Sequence, residues 1–108
     1  SALAFKNDIG FIPIRKANKL PGKIIGINYK LEYGEDRLEI QSNIISKNSK
    51  IIVIDDLLAT GGTASAAGEL IRKVGGNLIG YGFLVELLSL RGRNNLDNKL
   101  FVQSVIKY

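Results

Sequence analysis

The apolar pattern changes period once, in the middle of the chain. Ile51 to Ile54 are apolar and β-branched without alternation, the pattern of a strand covered on both faces, as in a parallel sheet packed between helices. From Thr63 to Val74 the period lengthens. Ala66, Ala67, Leu70, Ile71 and Val74 fall on one helical face, and Gly75-Gly76 supplies a stop. Between strand and helix stand two carboxylates, Asp55-Asp56, and then the short turn Ala59 to Thr63.

The flanking pattern predicts further elements. Ser1 to Asn7 reads as the end of a helix, and Asp8 to Gly10 as a turn. Phe11 to Arg15 reads as a short strand whose Pro13 suggests an edge position. Ala17 to Lys23 is a basic loop broken at Pro21-Gly22. Ile24 to Tyr33 and Asp36 to Ser42 form a hairpin across Gly34-Glu35. A polar turn at Lys47 to Lys50 leads into the central strand. After the helix come a strand at Leu78 to Val85, a short helix at Arg93 to Asn98 and a last strand at Leu100 to Ile106. The expected class is α/β, one domain with a mainly parallel sheet flanked by helices. No repeat or low-complexity linker interrupts it.

Composition narrows the function. With 108 residues, 45% apolar and 23% charged, the chain is an ordinary globular domain near the lower size limit for a doubly wound sheet. It contains no cysteine and no histidine, so metal ligands must be oxygens; magnesium fits and zinc does not. The 15 Lys and Arg against 10 Asp and Glu give +5. Those charges are scattered apart from Arg15 to Lys23, and no aromatic residues interleave with them as on a nucleic-acid stacking platform, so a small polyphosphate is the favoured partner. No apolar run is long enough to span a bilayer and no charged-then-apolar leader opens the chain, so a cytoplasmic location is expected.

The turn itself points to phosphate. Ala59, Thr60, Gly61, Gly62 and Thr63 sit between a strand's carboxyl end and a helix's amino end, where unpartnered N–H groups and the helix dipole favour an oxyanion. Alone, such a turn is equally a tight βα connection with a Thr or Ser cap. Asp55 and Asp56 change that balance. Adjacent carboxylates at a strand end repel one another, and they suit a sugar diol with a magnesium ion nearby. No lysine lies between Lys50 and Lys73, which excludes a Walker-type loop, and the dinucleotide Gly-x-Gly-x-x-Gly does not occur here.

Val53-Ile-Asp-Asp-Leu-Leu-Ala-Thr-Gly-Gly-Thr63 resembles the phosphoribosyl-pyrophosphate motif of type I phosphoribosyltransferases, in the form found in the adenine-using branch. Ile14-Arg-Lys16, Lys19-Leu-Pro-Gly22, Leu31-Glu-Tyr-Gly34 with Leu38-Glu-Ile-Gln41, Leu84-Val-Glu-Leu87 and Ser89-Leu-Arg-Gly92 extend the resemblance in the family's order over nearly the whole chain. It implies the type I fold with a β-hairpin lid, and transfer of a 5-phosphoribosyl group from phosphoribosyl pyrophosphate to adenine, giving AMP and pyrophosphate. It implies Mg2+ as cofactor and a homodimer, with neither nucleic acid nor membrane as partner. Carried over by residue, Ala59 to Thr63 anchor the 5-phosphate, and Asp55 and Asp56 hold the ribose hydroxyls, directly or through water, with no direct bond to the metal, which they approach through water. Arg15, Lys16 and Lys19 meet the pyrophosphate, Glu32 handles the purine's imidazole proton, Tyr33 covers the site, and Leu87 packs on the base. On residues alone, Arg15 to Lys19 also read as a solvated basic loop, Glu32-Tyr33 as a solvated hairpin turn, and Leu87 as a core position.

Two alternatives stay open at this level: an enzyme for another purine base, such as xanthine or hypoxanthine, and a non-catalytic sensor of phosphoribosyl pyrophosphate. The family's amino-terminal pyrophosphate loop, of the form Ala-Gly-x-x-x-Arg-Gly, and its base-covering segment have no counterpart in these 108 residues. The expectation is therefore an N-terminally incomplete domain that keeps affinity for ribose 5-phosphate groups, transfers little alone, and self-associates.

Overall fold

The structure, a computed structural model, describes residues 10–31 and 33–108. The expected helix end at Ser1 to Asn7, all but the last residue of the turn after it, and Glu32 lie outside the described residues. Two three-stranded sheets share one helix. β1 (Arg15–Lys16), β2 (Ile24–Leu31) and β3 (Gly34–Gln41) make an antiparallel sheet in the order β1-β3-β2. β4 (Lys50–Leu58), β5 (Asn77–Glu86) and β6 (Phe101–Lys107) make a parallel sheet in that order. Helix α1 (Gly62–Lys73) is the crossover from β4 to β5, and two 3-10 turns, Leu88–Leu90 and Gly92–Asn95, lie between β5 and β6. This is the α/β class expected.

Helix α1 forms where the period-3.6 pattern predicts it. It buries Ala64, Ala66, Ala67, Gly68, Leu70 and Ile71 against Val53, Leu78, Tyr81 and Phe83 of the parallel sheet and Leu38 and Ile40 of β3. The small residues set the spacing: a Cβ at Gly68 would come within 2.9 Å of Leu78 Cδ2 and 3.0 Å of the Tyr81 hydroxyl, so a larger residue there would have to push these side-chain ends aside. On the hairpin side, Lys73 Nζ donates to the Gly26 carbonyl at 3.1 Å. The helix ends as expected. Gly75 takes a left-handed φ of 90°, and Gly76 N–H donates to the Ile71 carbonyl at 2.9 Å, which satisfies an orphan acceptor.

Five expectations are corrected. Phe11 to Ile14 is not strand, and only Arg15–Lys16 pairs with β3; Pro13 has no N–H to give a ladder. The hairpin closes between Leu31 and Gly34 rather than across Gly34-Glu35, with Gly34 at φ 121°, a conformation that favours glycine. The central strand does not stop at Ile54. It continues through Leu58 because Asp55, Leu57 and Leu58 keep pairing with Phe83, Val85 and Glu86, so the acidic pair lies inside the strand. Nor is that strand covered on both faces: Ile52 and Ile54 are exposed, since among the described residues one α-helix serves the sheet and lies on the Val53–Tyr81 side. Finally, the short helix expected at Arg93 to Asn98 is a 3-10 turn at Gly92–Asn95 that ends three residues sooner. Arg91 at φ 51° separates the two 3-10 turns and Leu96 is extended, so no longer helix can propagate.

Candidate active site

At the end of β4 the chain turns through Ala59 and Thr60 into Gly61, whose left-handed φ of 88° swings the backbone into α1. Ser65 N–H donates to the Gly61 carbonyl at 2.9 Å, and no side chain caps the helix. The first N–H groups of α1 therefore lack intrahelical partners, at the positive end of the dipole. They border a cleft of about 240 Å³ lined by residues 55–64, which brings the acidic pair and the glycine turn together.

The two carboxylates differ. Asp55 is half-buried and Asp56 exposed, and the Asp56 N–H donates to Asp55 Oδ1 at 2.8 Å. Burial pushes the Asp55 carboxyl above its usual range; the Asp56 N–H opposes this and the Asp56 carboxylate reinforces it. Hydroxyl donors or a cation would relieve both groups. Among the described residues no cluster of three or more acidic or histidine groups exists. The pair therefore fits a hard cation whose other positions are filled by water and substrate phosphates, the usual habit of magnesium.

The far side of the glycine turn is braced by the segment after β5. A Cβ at Gly61 would collide with the Gly92 carbonyl, and a Cβ at Gly92 with the Ala59 carbonyl, so the two glycines stack backbone on backbone. Asn95 Nδ2 donates to the Thr60 carbonyl at 2.6 Å. Arg93 places Nε at 2.7 Å and Nη2 at 2.8 Å from the two oxygens of Glu86, which also accepts from Ser104 Oγ at 2.8 Å. The guanidinium holds the Glu86 carboxyl below its usual range despite burial. Glu86 thus serves a structural pair and does not line the cleft. Leu87 is half-buried, donates its N–H to the Leu58 carbonyl at 3.0 Å and lines neither cleft.

A second cleft of about 380 Å³ opens between β2 and the start of α1, lined by Asn28, Tyr29, Lys30, Gly62, Ser65, Ala66, Glu69 and Asn95. Thr63 Oγ1 donates to the Tyr29 hydroxyl at 3.4 Å across it. Sequence reasoning missed Asn28 and Asn95 as site neighbours; the signal for Asn95 was its place just after Ser89-Leu-Arg-Gly92. Arg15, Lys16 and Lys19 are exposed and line neither cleft. Arg15 and Lys16 belong to the edge strand of the antiparallel sheet, not to the parallel sheet whose strand β4 carries Asp55 and Asp56. Lys16 instead pairs with Asp36 at 2.9 Å, opposite Tyr29 near the closed end of the hairpin. Tyr33 stands 92% exposed at the tip. Glu32 lies outside the described residues.

Residues 15–105 match the model of the phosphoribosyl transferase domain. Adenine phosphoribosyltransferase of Prochlorococcus marinus (strain NATL2A) is 73% identical over 108 residues, covering 100% of this chain and 63% of the relative. The crystal structure of adenine phosphoribosyltransferase from Thermoanaerobacter pseudethanolicus superposes with a TM-score of 0.94 at 41% identity, covering 99% of this chain and 62% of that one. The Saccharomyces cerevisiae enzyme, complexed with a dideoxy-imino-altritol bisphosphate and adenine, gives a TM-score of 0.87 at 46% identity, with coverages of 94% and 57%. The chain therefore spans somewhat less than two thirds of these relatives. With the glycine turn, the acidic pair and this match in agreement, the chain belongs to the phosphoribosyl transferase domain family.

Proposed function

We propose that the protein to which this chain belongs transfers the 5-phosphoribosyl group of phosphoribosyl pyrophosphate to adenine, forming AMP and pyrophosphate. The observation that carries this reading is the single cleft in which Asp55 and Asp56 face the glycine turn at the head of α1. Ala59 to Thr63 bind the 5-phosphate through N–H groups. Three such charge-assisted bonds of roughly 1.5–3 kcal/mol each suffice to order it. Asp55 and Asp56 accept from the ribose 2- and 3-hydroxyls and set negative charge beside the anomeric carbon as it becomes cationic.

The bond from that carbon to pyrophosphate breaks with its electron pair leaving on oxygen, a purine nitrogen bonds to the opposite face, and that nitrogen's proton passes to a carboxylate. Glu32 is our candidate for this base. Arg15, Lys16 and Lys19 supply positive charge toward pyrophosphate when the hairpin closes, with Tyr33 excluding water and Leu87 packing on the base. Magnesium, when bound, would neutralise pyrophosphate oxygens, and Asp55 and Asp56 are the residues that would approach it, through water. We place the reaction in the cytoplasm and the protein in a homodimer. The name of the 73% identical relative supports adenine over other bases.

Incubation of the full-length protein with phosphoribosyl pyrophosphate and magnesium, with adenine or hypoxanthine as acceptor, tests the reading. AMP formation at far higher kcat/KM than IMP formation is expected. Comparable use of hypoxanthine would move the assignment to another base, and no transfer to either would leave the sensor alternative standing.

A further inference from the structure

We infer that Arg93, Gly92 and Asn95 form a positioning brace that sets the shape of the phosphate-binding turn; the inference rests on the proposed 5-phosphate site and deepens it.

Helix α1 fixes only one side of the turn. Gly61 is left-handed and carries no capping side chain, so without an outside support the carbonyls of Ala59 and Thr60 are free to rotate. A peptide rotation there would turn N–H groups away from the phosphate or point a carbonyl oxygen at it. The segment after β5 prevents this from two directions. The Gly92 backbone lies on Gly61 and on the Ala59 carbonyl with no room for a Cβ on either glycine, and Leu58 Cδ1 would meet a Cβ at Gly92 at 2.9 Å. The Asn95 amide donates to the Thr60 carbonyl at 2.6 Å, which fixes that oxygen and resists rotation of the peptide.

The brace has its own anchor. Arg93 lies between Gly92 and Asn95 and is held by two bonds to Glu86, a carboxylate only 2% exposed at the last position of β5. Leu58, the last residue of β4, pairs with that same Glu86. The fork therefore ties the support to the strand from whose neighbour the turn departs. A planar bidentate fork sets direction as well as distance, which a lysine cannot reproduce. None of these side chains needs to touch substrate.

The test is calorimetric binding of ribose 5-phosphate to the full chain, with KM for phosphoribosyl pyrophosphate and kcat measured in the full-length protein. Asn95 is exposed, so Asn95→Ala folds; it should weaken ribose 5-phosphate binding and raise KM by about tenfold, the loss of one hydrogen bond's worth of turn geometry. Arg93→Lys should do the same while keeping the charge. Arg72→Ala is the control: it breaks the 2.8 Å pair with Asp97 that ties the same segment to α1 away from the turn, so it should lower Tm with unchanged phosphate affinity. If Asn95→Ala and Arg93→Lys lower Tm as Arg72→Ala does but bind ribose 5-phosphate like the parent chain, the brace is merely structural and the inference fails while the phosphate site stands. If the parent chain itself shows no saturable binding, the phosphate site falls and the brace with it.

Discussion

Thr63 Oγ1 reaches the Tyr29 hydroxyl at 3.4 Å, so the hairpin leans on the first turn of the helix that heads the phosphate cleft. At that length the bond is weak, and Asp36, opposite Tyr29 on the facing strand, is held by Lys16 in a surface pair. A lid needs such loose attachment. Amide exchange over residues 29–36 should be fast in the free protein and slow when a sugar phosphate and base are both bound. Equal protection in the two states would count against closure.

The acidic pair separates function from stability. Asp55→Asn and Asp56→Asn should each lower turnover by about a hundredfold or more, as loss of a group facing developing charge does, while leaving the fold intact. Full activity in the double variant would remove the assignment.

For Asp55 the stability effect has a definite sign. Its carboxyl is raised in the folded state, chiefly by burial, so the folded state holds that proton more tightly than the unfolded one and is penalised once the group ionises. Asp55→Asn should therefore be the more stable protein at neutral pH. Its advantage should shrink as pH falls through the raised value toward the ordinary 3.8. Denaturant melts at pH 7 and pH 4 check this, and an advantage that grows on acidification would reverse the assignment of burial as the cause.

Glu86 behaves in the opposite way. Hydrogen bonding from Arg93 depresses its carboxyl, so the stabilisation is present above the ordinary value of 4.5 and is lost as pH falls through the lower folded value. Glu86→Gln should cost about 2 kcal/mol at pH 7, below the figure for a fully buried pair because the Arg93 side chain is 38% exposed. It should also flatten the acid limb of the stability profile. A variant that melts in acid just as the parent does would show that other carboxylates set that limb.

What the sequence made legible was the local and the periodic. Ala66, Ala67, Leu70 and Ile71 placed α1 because their spacing is one helical face, and Gly61-Gly62 placed the phosphate turn because it stands between that strand and that helix, where Gly61 is left-handed and has no room for a Cβ. What it hid depended on partners distant in the chain. Asp55 and Asp56 read as a strand end, yet β5 supplies a ladder that carries β4 past them to Leu58. Glu86 stood in a segment of the resemblance with no role of its own, and Arg93 and Ser104 make it a buried pair. Gly92 closes the Ser89-Leu-Arg-Gly92 segment and Asn95 follows it, yet nothing local shows their use as a support for the turn, which exists only because β4 and β5 end side by side. Ile52 and Ile54 look like any core strand, and composition cannot tell which face of a sheet finds a helix.

That uncovered face leads to the last prediction. Ile54 is 67% exposed, Leu84 53% and Val105 74%, and the Phe101 ring lies over Gly80 among them. Taking such a side chain out of water contributes about 1.5–3 kcal/mol, so a few of them meeting a second copy are enough for association at high concentration. The formal charge of +5 opposes that approach, and salt screens it. The 108-residue chain should therefore self-associate more as both protein and salt concentration rise. Ile54→Lys and Val105→Lys should each suppress this in sedimentation velocity. Because both positions are exposed, the substitutions should leave stability within about 0.5 kcal/mol of the parent. Self-association that persists in the double lysine variant would place the contact elsewhere on the surface, and a large loss of stability would show that this face is covered within the folded chain.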